Sequence, residues 1–563
     1  MRRLAIAIVV SSGLVGCGGA ASEPPPPPPA ADARVADPGD LLAAGSWRCL
    51  EGARHDGDRV VIDPIDRWIV GYEPAPRTAN PPLLLVGPRL EVAGGFRVSM
   101  RIEATAETPA LLTLNGKLPI LYDEWRQEGT AIAVGLEAGQ LLVRIWDGRG
   151  PTPTSHRFGA GLTGAVDVAL AVVDGDALTL TVGASEVGRV AVPALFSSGR
   201  VYFGADVAPG NQLTLHALAA DALDGGTLRA VVAGVPGAVA PSAESLRARA
   251  APRLRIGAAV ASIPLLSEDA YAQTLGRELS MVTPENMMKF QFIHPGPGRY
   301  AFCDGDALVD FAIGNGMAVH GHALVWGEAI PEWVTRGGLS NAQIAELLHE
   351  HITTVVGHYR GRVAEWDVLN EPLDDETGAL RNTTWRRALG DDFVATIFRW
   401  AHEADPDARL YVNEYGIESS GEKADRLFAL VQAAVRAGVP IHGVGFQAHE
   451  DLGEEADPAE LRANMARYQA LGVAVRISEL DDNPGHRPSA AELAAQAAFF
   501  RKELEVCLGL PHCTSFSMWG FTDRYSSLAP DDAYDAIGHG LIFDEAYAPK
   551  PAYDAVAAAL AGP

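Results

Sequence analysis

Val363-Ala364-Glu365-Trp366-Asp367-Val368-Leu369-Asn370-Glu371 is a short, mostly apolar run that ends in an amide and a carboxylic acid. A run of this length suits a buried strand. It is the fourth of eight such runs, which begin near Ile256, Leu279, Met317, Val363, Arg409, Ile441, Val473 and Thr514. Amphipathic helical segments lie between them. Ser489-Ala490-Ala491-Glu492 has the form of a capping box, and Asp457-Pro458 places an N-cap before a proline at the first helical position. Gly472 stops that second helix. Eight buried strands alternating with helices predict a (β/α)8 barrel, which carries its functional residues at the C-terminal ends of the strands. The seventh run, Val473 to Ile477, ends in Ser478-Glu479-Leu480-Asp481, so two carboxylic acids, Glu371 and Glu479, are expected at one rim.

Upstream the pattern changes. From about Trp47 to Leu223 apolar and polar residues alternate over short runs broken by Gly, Pro, Asn and Asp, which reads as strands joined by turns. Phe96–Ile102, Leu141–Trp146, Val166–Val173 with an Asp174-Gly175 turn, Leu178–Val182 and Val201–Phe203 are the clearest. Their spacing predicts an all-β sandwich, and the rhythm from Val166 to Ala220 resembles concanavalin-like jelly rolls. A Gly/Ala-rich stretch follows from Asp224 to Pro241. The expected organisation is a signal peptide over 1–17, a Pro-rich tether over 18–40, a β-sandwich over 41–223, a linker over 224–244 and the barrel over 245–563. The overall class is α/β.

The N-terminus reads as an address. Arg2 and Arg3 precede an apolar run from Leu4 to Val10, too short to span a bilayer, and the segment ends in Leu14-Val15-Gly16-Cys17. That ending resembles the bacterial lipobox, which would make Cys17 the lipidated first residue of the mature chain; the alternative is an ordinary secretory signal. Pro24 to Pro29 then form a stiff tether. The expectation is an exported protein, lipid-anchored at the bacterial cell envelope or surface, that meets the membrane through its anchor alone.

Of five cysteines, Cys507 and Cys513 flank Pro511 closely enough for a small disulfide loop, whereas Cys49 and Cys303 read as separate buried thiols. Hydrophobic residues make up 48% and charged residues 21%, enough for sizeable cores. The net charge of −26 argues against phosphate-driven nucleic-acid binding and suits a neutral polymer. No Cys/His cluster or phosphate-binding Gly motif stands in a suitable context, so neither metal nor cofactor is expected. The chain is expected to act as a monomer.

Two carboxyl groups at one rim are what glycosidic hydrolysis requires: one acid protonates the leaving oxygen and one carboxylate meets the oxocarbenium-like carbon. Either Glu alone is as readily a salt-bridged loop residue. The surrounding motifs decide between these. Thr283-Pro284-Glu285-Asn286 with Lys289, Gly321-His322-Ala323-Leu324-Val325-Trp326, Trp366-Asp367-Val368-Leu369-Asn370-Glu371, Asn413-Glu414-Tyr415, Gly445-Phe446-Gln447-Ala448-His449, Glu479-Leu480-Asp481 and Met518-Trp519-Gly520 follow in order. From about Ser245 to Leu560 the chain resembles the family-ten glycoside hydrolases, retaining endo-β-1,4-xylanases.

The resemblance implies Glu371 as acid/base and Glu479 as nucleophile, with Asn370 on the sugar's 2-hydroxyl. It implies that His449 orients Glu479 and that Asp481 holds His449. Gln447 and Tyr415 would complete that wall. Glu285, Asn286, Lys289, His322 and Trp326 would bind the glycone, with Trp519 as floor; without the neighbouring motifs the two tryptophans read as core. The implied partner is xylan or a related β-1,4-linked polysaccharide.

Three departures stand out. Gly327 and Ala329 occupy places where the family usually has His and Gln. Ser527 replaces the lid tryptophan, which opens the glycone side, and Glu414 stands where an aspartate is usual. A β-1,4-glucanase or mixed xylan/glucan hydrolase is therefore the alternative activity, and a surface glycan-binding protein the alternative class. For the sandwich, exposed Trp47, Trp68, Trp125 or Trp146 would make a carbohydrate-binding module; tryptophans inside would make it a spacer.

Overall fold

The computed structural model describes residues 35–36, 38–42, 53–62, 83–84, 89–115, 130–147, 153–173, 177–191, 199–208, 210–223, 225–231, 236–451, 453, 456–485, 488–528 and 538–562. Cys17, the proline tether, Trp47, Cys49, Trp68, Trp125 and the Asp174-Gly175 turn lie outside the described residues.

Among the described residues the N-terminal strands form two antiparallel sheets, one of nine strands and one of seven. Alternation along each strand sends one face inward: in Phe96–Ala104, Phe96, Val98, Met100 and Ile102 are buried and Arg97 and Arg101 exposed. Apolar residues of both sheets, among them Leu112, Val134, Val143, Leu170, Leu180 and Leu215, make one core. Trp146 is 5% exposed and packs with Leu111, Ala131, Ala133 and Leu142, so it is structural and offers no sugar platform. Its alternation with Ile145 would suit either face of the strand; burial of both faces here removes the distinction.

Two strands fall where tether and linker were expected. Thr227–Val231 pairs with Arg89–Ala93, and Val35–Ala36 pairs with Thr227–Val231. The first sheet therefore recruits residues from both flanks of 41–223, because backbone pairing needs extended chain and tolerates the Gly/Ala-rich composition.

The second core is a closed parallel barrel. Its eight strands are Arg255–Val260, Met281–Pro284, Ala318–Gly321, Glu365–Asn370, Arg409–Glu414, Gly443–Phe446, Ala474–Asn483 and Cys513–Met518, and the last pairs with the first. Short strands Val325–Trp326 and His449–Asp451 extend the rim. Helices begin where local chemistry says: Ser489 and Glu492 form the capping box of Ala490–Leu508, and Asp457 caps Pro458–Ala466. Gly472 takes the left-handed conformation (φ +71°) that ends the turn after it.

In the sixth strand, a Cβ on Gly443 would lie 2.1 Å from the Tyr411 ring, and one on Gly445 would lie 2.1 Å from Asn413 Oδ1. The fifth strand's large side chains thus fill the space that the sixth leaves. Cys507 and Cys513 are disulfide-bonded with Cα atoms 5.4 Å apart. Cys303 is exposed at the start of helix Cys303–Gly314 and is also disulfide-bonded, which corrects its reading as a buried thiol. Spacing along the chain reveals only short-range bridges.

Candidate active site

Strand geometry brings the motif residues to one end of the barrel. Glu371 follows the fourth strand in a left-handed conformation (φ +51°), uncommon for a residue with a side chain. Its N–H donates to the Asn413 carbonyl at 2.8 Å, which pins the carboxyl above the fifth strand. Three donors hold that carboxyl: Trp326 Nε1 to Oε2 at 2.8 Å, and Asn370 Nδ2 and Gln447 Nε2 to Oε1 at 3.1 and 3.0 Å. With Oε1 facing two amide donors, a transferable proton belongs on Oε2.

Glu479 lies within the seventh strand and is 4% exposed. It accepts from Asn413 Nδ2 at 2.5 Å and meets His449 Nε2 at 3.1 Å. The other nitrogen of His449 is 2.8 Å from Asp481. Burial works against a charged imidazole, but Asp481 and Glu479 outweigh it and hold the ring's pKa well above its usual range. For Glu479, burial pushes the carboxyl up, and the His449 hydrogen bond with the His322 and His449 rings more than reverses this, leaving it below the ordinary carboxylate range. A carboxylate kept ionised and aimed is suited to nucleophilic attack.

The two carboxyl groups are physically connected. Asn413 Nδ2 reaches Asn370 Oδ1 at 2.9 Å as well as Glu479, and Asn370 in turn donates to Glu371. Ser478 Oγ donates to Asn413 Oδ1 at 2.7 Å, which fixes the amide's orientation. Gln447 joins them a second way, its side chain on Glu371 and its backbone carbonyl accepting from Glu479 N.

Glu285, Asn286 and Lys289 are buried after the second strand, and Lys289 Nζ donates to Asn286 Oδ1 at 3.0 Å. The ammonium lies 4.9 Å from the Trp326 ring centre and 5.4 Å from that of Trp519. Burial lowers its pKa against the pull of Glu479, Glu285 and Glu371. His322 stands edge-on to Trp519 with centroids 5.2 Å apart. Tyr415 is fixed by contacts of its own: its hydroxyl donates to Asp375 at 2.6 Å and accepts from Arg381 at 2.7 Å, and Lys423 covers its ring at 3.5 Å.

Asn413 and Glu418 were missed as site residues. Asn413 sits in a recognised motif but a buried amide gives no sign of its partner. Glu418 accepts from Ala448 N at 2.8 Å and thereby holds the left-handed Ala448 (φ +57°) just before His449. It lies outside every motif. At Gly327 a Cβ would come within 2.8 Å of Thr383, so Thr383 occupies the room beside it. Ser527 is partly buried.

A (β/α)8 barrel with two bridged carboxylic acids and two tryptophans at its C-terminal rim defines a glycoside hydrolase. Residues 245–559 match the family model for glycosyl hydrolase family 10, and the chain belongs to that family. It is 38% identical over 289 residues to endo-1,4-beta-xylanase B of Thermotoga neapolitana, covering 51% of this chain and 82% of that protein. To the beta-1,4-xylanase of Dictyoglomus thermophilum it is 37% identical over 309 residues, 53% and 86% of the two chains. The structure of xylanase 10B from Thermotoga petrophila RKU-1 in complex with xylobiose superposes with a TM-score of 0.54 at 37% identity, covering 56% of this chain and 97% of that one.

Proposed function

We propose that this protein is a retaining endo-1,4-β-xylanase that cleaves internal links of xylan by double displacement. The observation that carries the reading is the bridged pair Glu371 and Glu479 in a family 10 barrel. A Glu479 oxygen attacks the anomeric carbon as the glycosidic C–O bond breaks, and Glu371 passes its proton to the departing oxygen. A glycosyl-enzyme ester results. Glu371, now a carboxylate, takes a proton from water as the water oxygen attacks the same carbon and frees Glu479. Two inversions give net retention. His449, backed by Asp481, and Asn413 aim the nucleophile; Trp519 and Trp326 offer ring faces, and Glu285, Asn286, Lys289 and His322 offer polar groups to sugar hydroxyls.

Hydrolysis of xylohexaose and cellohexaose by the protein and by Glu479→Ala, followed by NMR, tests this. Shorter xylo-oligosaccharides with a β-configured new end, absent with the variant, are expected. Preferential cleavage of cellohexaose would favour a glucanase, and cleavage of neither would favour a glycan-binding protein.

The N-terminal sequence supports export with a lipid at Cys17, displayed on the proline tether. Among the described residues no helix is long and apolar enough to cross a membrane. Labelling with a fatty-acid probe that is lost in Cys17→Ala is the expected result; unlabelled protein in the medium would replace the anchor with simple secretion.

A further inference from the structure

The barrel interior carries charge that the reaction steps do not touch. Arg255 Nη1 lies 2.9 Å from Glu365 Oε1, and Glu365 Oε2 lies 3.2 Å from His320 Nδ1. His320 Nε2 is 2.8 Å from Asp367 Oδ1, and Asp367 Oδ2 is 2.9 Å from His322 Nδ1. The line thus runs from the first residue of the first strand to the sugar site. His320, Glu365, Asp367 and His322 are all at most 2% exposed. Barrel interiors are usually filled with branched apolar side chains, and burying such a line is costly unless each charge is paired.

Both ring nitrogens of His320 face carboxylates. Nδ1 is hydrogen-bonded with Glu365 Oε2, and Nε2 stands 2.8 Å from Asp367 Oδ1. Burial would raise Glu365, yet the His320 hydrogen bond and the charges of His320, Arg476 and Arg255 bring it down to about 2, so it stays ionised. The groups facing His320 are Glu365 and Asp367 from the fourth strand and the Tyr411 ring, 5.2 Å away, from the fifth, with Arg255 and Arg476 acting through Glu365. Asp367 Oδ1 faces His320 Nε2, and its Oδ2 is bonded to His322 Nδ1, which turns Nε2 of that ring away from Asp367.

We infer that His320 is a positioning residue for glycoside hydrolysis: clamped between Glu365 and Asp367, it fixes Asp367, and through it the orientation and tautomer of His322 beside Trp519. The inference rests on the proposed xylanase reaction. His320 touches no substrate itself.

The test compares wild type, His320→Gln and His320→Arg by kcat, KM and pH profile on an aryl β-xylobioside, with thermal unfolding alongside. Glutamine can donate to one carboxylate but turns its oxygen to the other, and kcat/KM is expected to fall roughly tenfold or more. Arginine keeps donors for both carboxylates and a charge at every working pH. It is expected to recover activity to within about threefold of wild type. Wild-type kinetics and pH profile in a folded His320→Gln would overturn the inference, as would His320→Arg with no recovery. If neither variant folds, histidine 15N NMR of the wild type decides: a His320 Nδ1–H protected from exchange by its bond to Glu365 is expected, and its absence overturns the clamp. A wild type inactive on every xylo-oligosaccharide would instead sink the proposed function.

Discussion

Asn413→Ala is the substitution whose effect the geometry sets most tightly. Asn413 is fully buried, and both amide hydrogens are committed, one to Glu479 at 2.5 Å and one to Asn370 at 2.9 Å. A hydrogen bond to a charged group contributes about 1.5–3 kcal/mol. At about 1.4 kcal/mol per factor of ten, its loss predicts a fall of roughly 10- to 150-fold in kcat/KM, provided the bond aims the nucleophile in the transition state. Glu479 also loses a donor that favours its ionised form, so the acid limb of the pH profile moves upward. Stability should drop by about 2–4 kcal/mol, because Ser478 Oγ and Asn370 Oδ1 lose buried partners and a small cavity opens. Initial rates on 4-nitrophenyl β-xylobioside across pH, with urea unfolding as the control, give all three quantities. Asn413→Asp separates shape from hydrogen bonding, since it preserves volume while setting a second carboxyl against Glu479. A folded Asn413→Ala with kcat/KM within about threefold of wild type and an unmoved acid limb would refute the reasoning.

Glu371→Ala should lower hydrolysis of xylohexaose by about 10²- to 10⁴-fold while sparing bond cleavage in substrates with activated aryl leaving groups, which need no proton; equal losses on both, by pre-steady-state rates, would deny it the acid role. Ser527→Trp should lower KM for xylo-oligosaccharides several-fold, roughly 1 kcal/mol of added stacking, with kcat little changed; an unchanged KM by steady-state assay would mean the position does not face the sugar. Glu414 is pushed up to about 7, chiefly by burial with Glu371 adding and Lys423 opposing. A carboxyl raised in the folded state contributes stability that is complete below its unfolded pKa near 4.5 and is lost as the pH rises towards 7, on the order of 3 kcal/mol. Urea titrations at pH 5 and 8 should therefore show a shallower loss with rising pH in Glu414→Gln than in wild type, and parallel losses would show that Glu414 is not responsible.

The barrel was legible because its strands are buried on both faces, so that apolar runs such as Val444 with Phe446 and Val475 with Ile477 stand out from the amphipathic helices around them. Motif residues could be assigned to one rim because each follows such a run. What stayed hidden depends on contacts distant in sequence. Nothing around Glu418 indicates that it holds Ala448 N thirty residues on, and His320 reads as an incidental polar residue until Glu365 and Asp367 close on it. Thr227–Val231 lacked the aromatic and alternating character of the other strands, so its role as a sheet strand emerges only from its partners. The groups that fix Tyr415, Asp375, Arg381 and Lys423, likewise lie outside its motif and come together only in the fold.

The bare inner face of the sixth strand has a consequence for how this chain can change over time. Gly443 and Gly445 are bound to Tyr411 and Asn413 as lock to key, because no side chain fits at the former while the latter are in place. Position 443 can accept a larger residue only after 411 shrinks, and position 445 only at the expense of the amide that steadies Glu479. The first pair is free to drift together, a reversible exchange within the barrel filling. The second cannot drift without passing through an impaired enzyme, so descendants of this sequence should vary at 443 with 411 while 445 and 413 stand still.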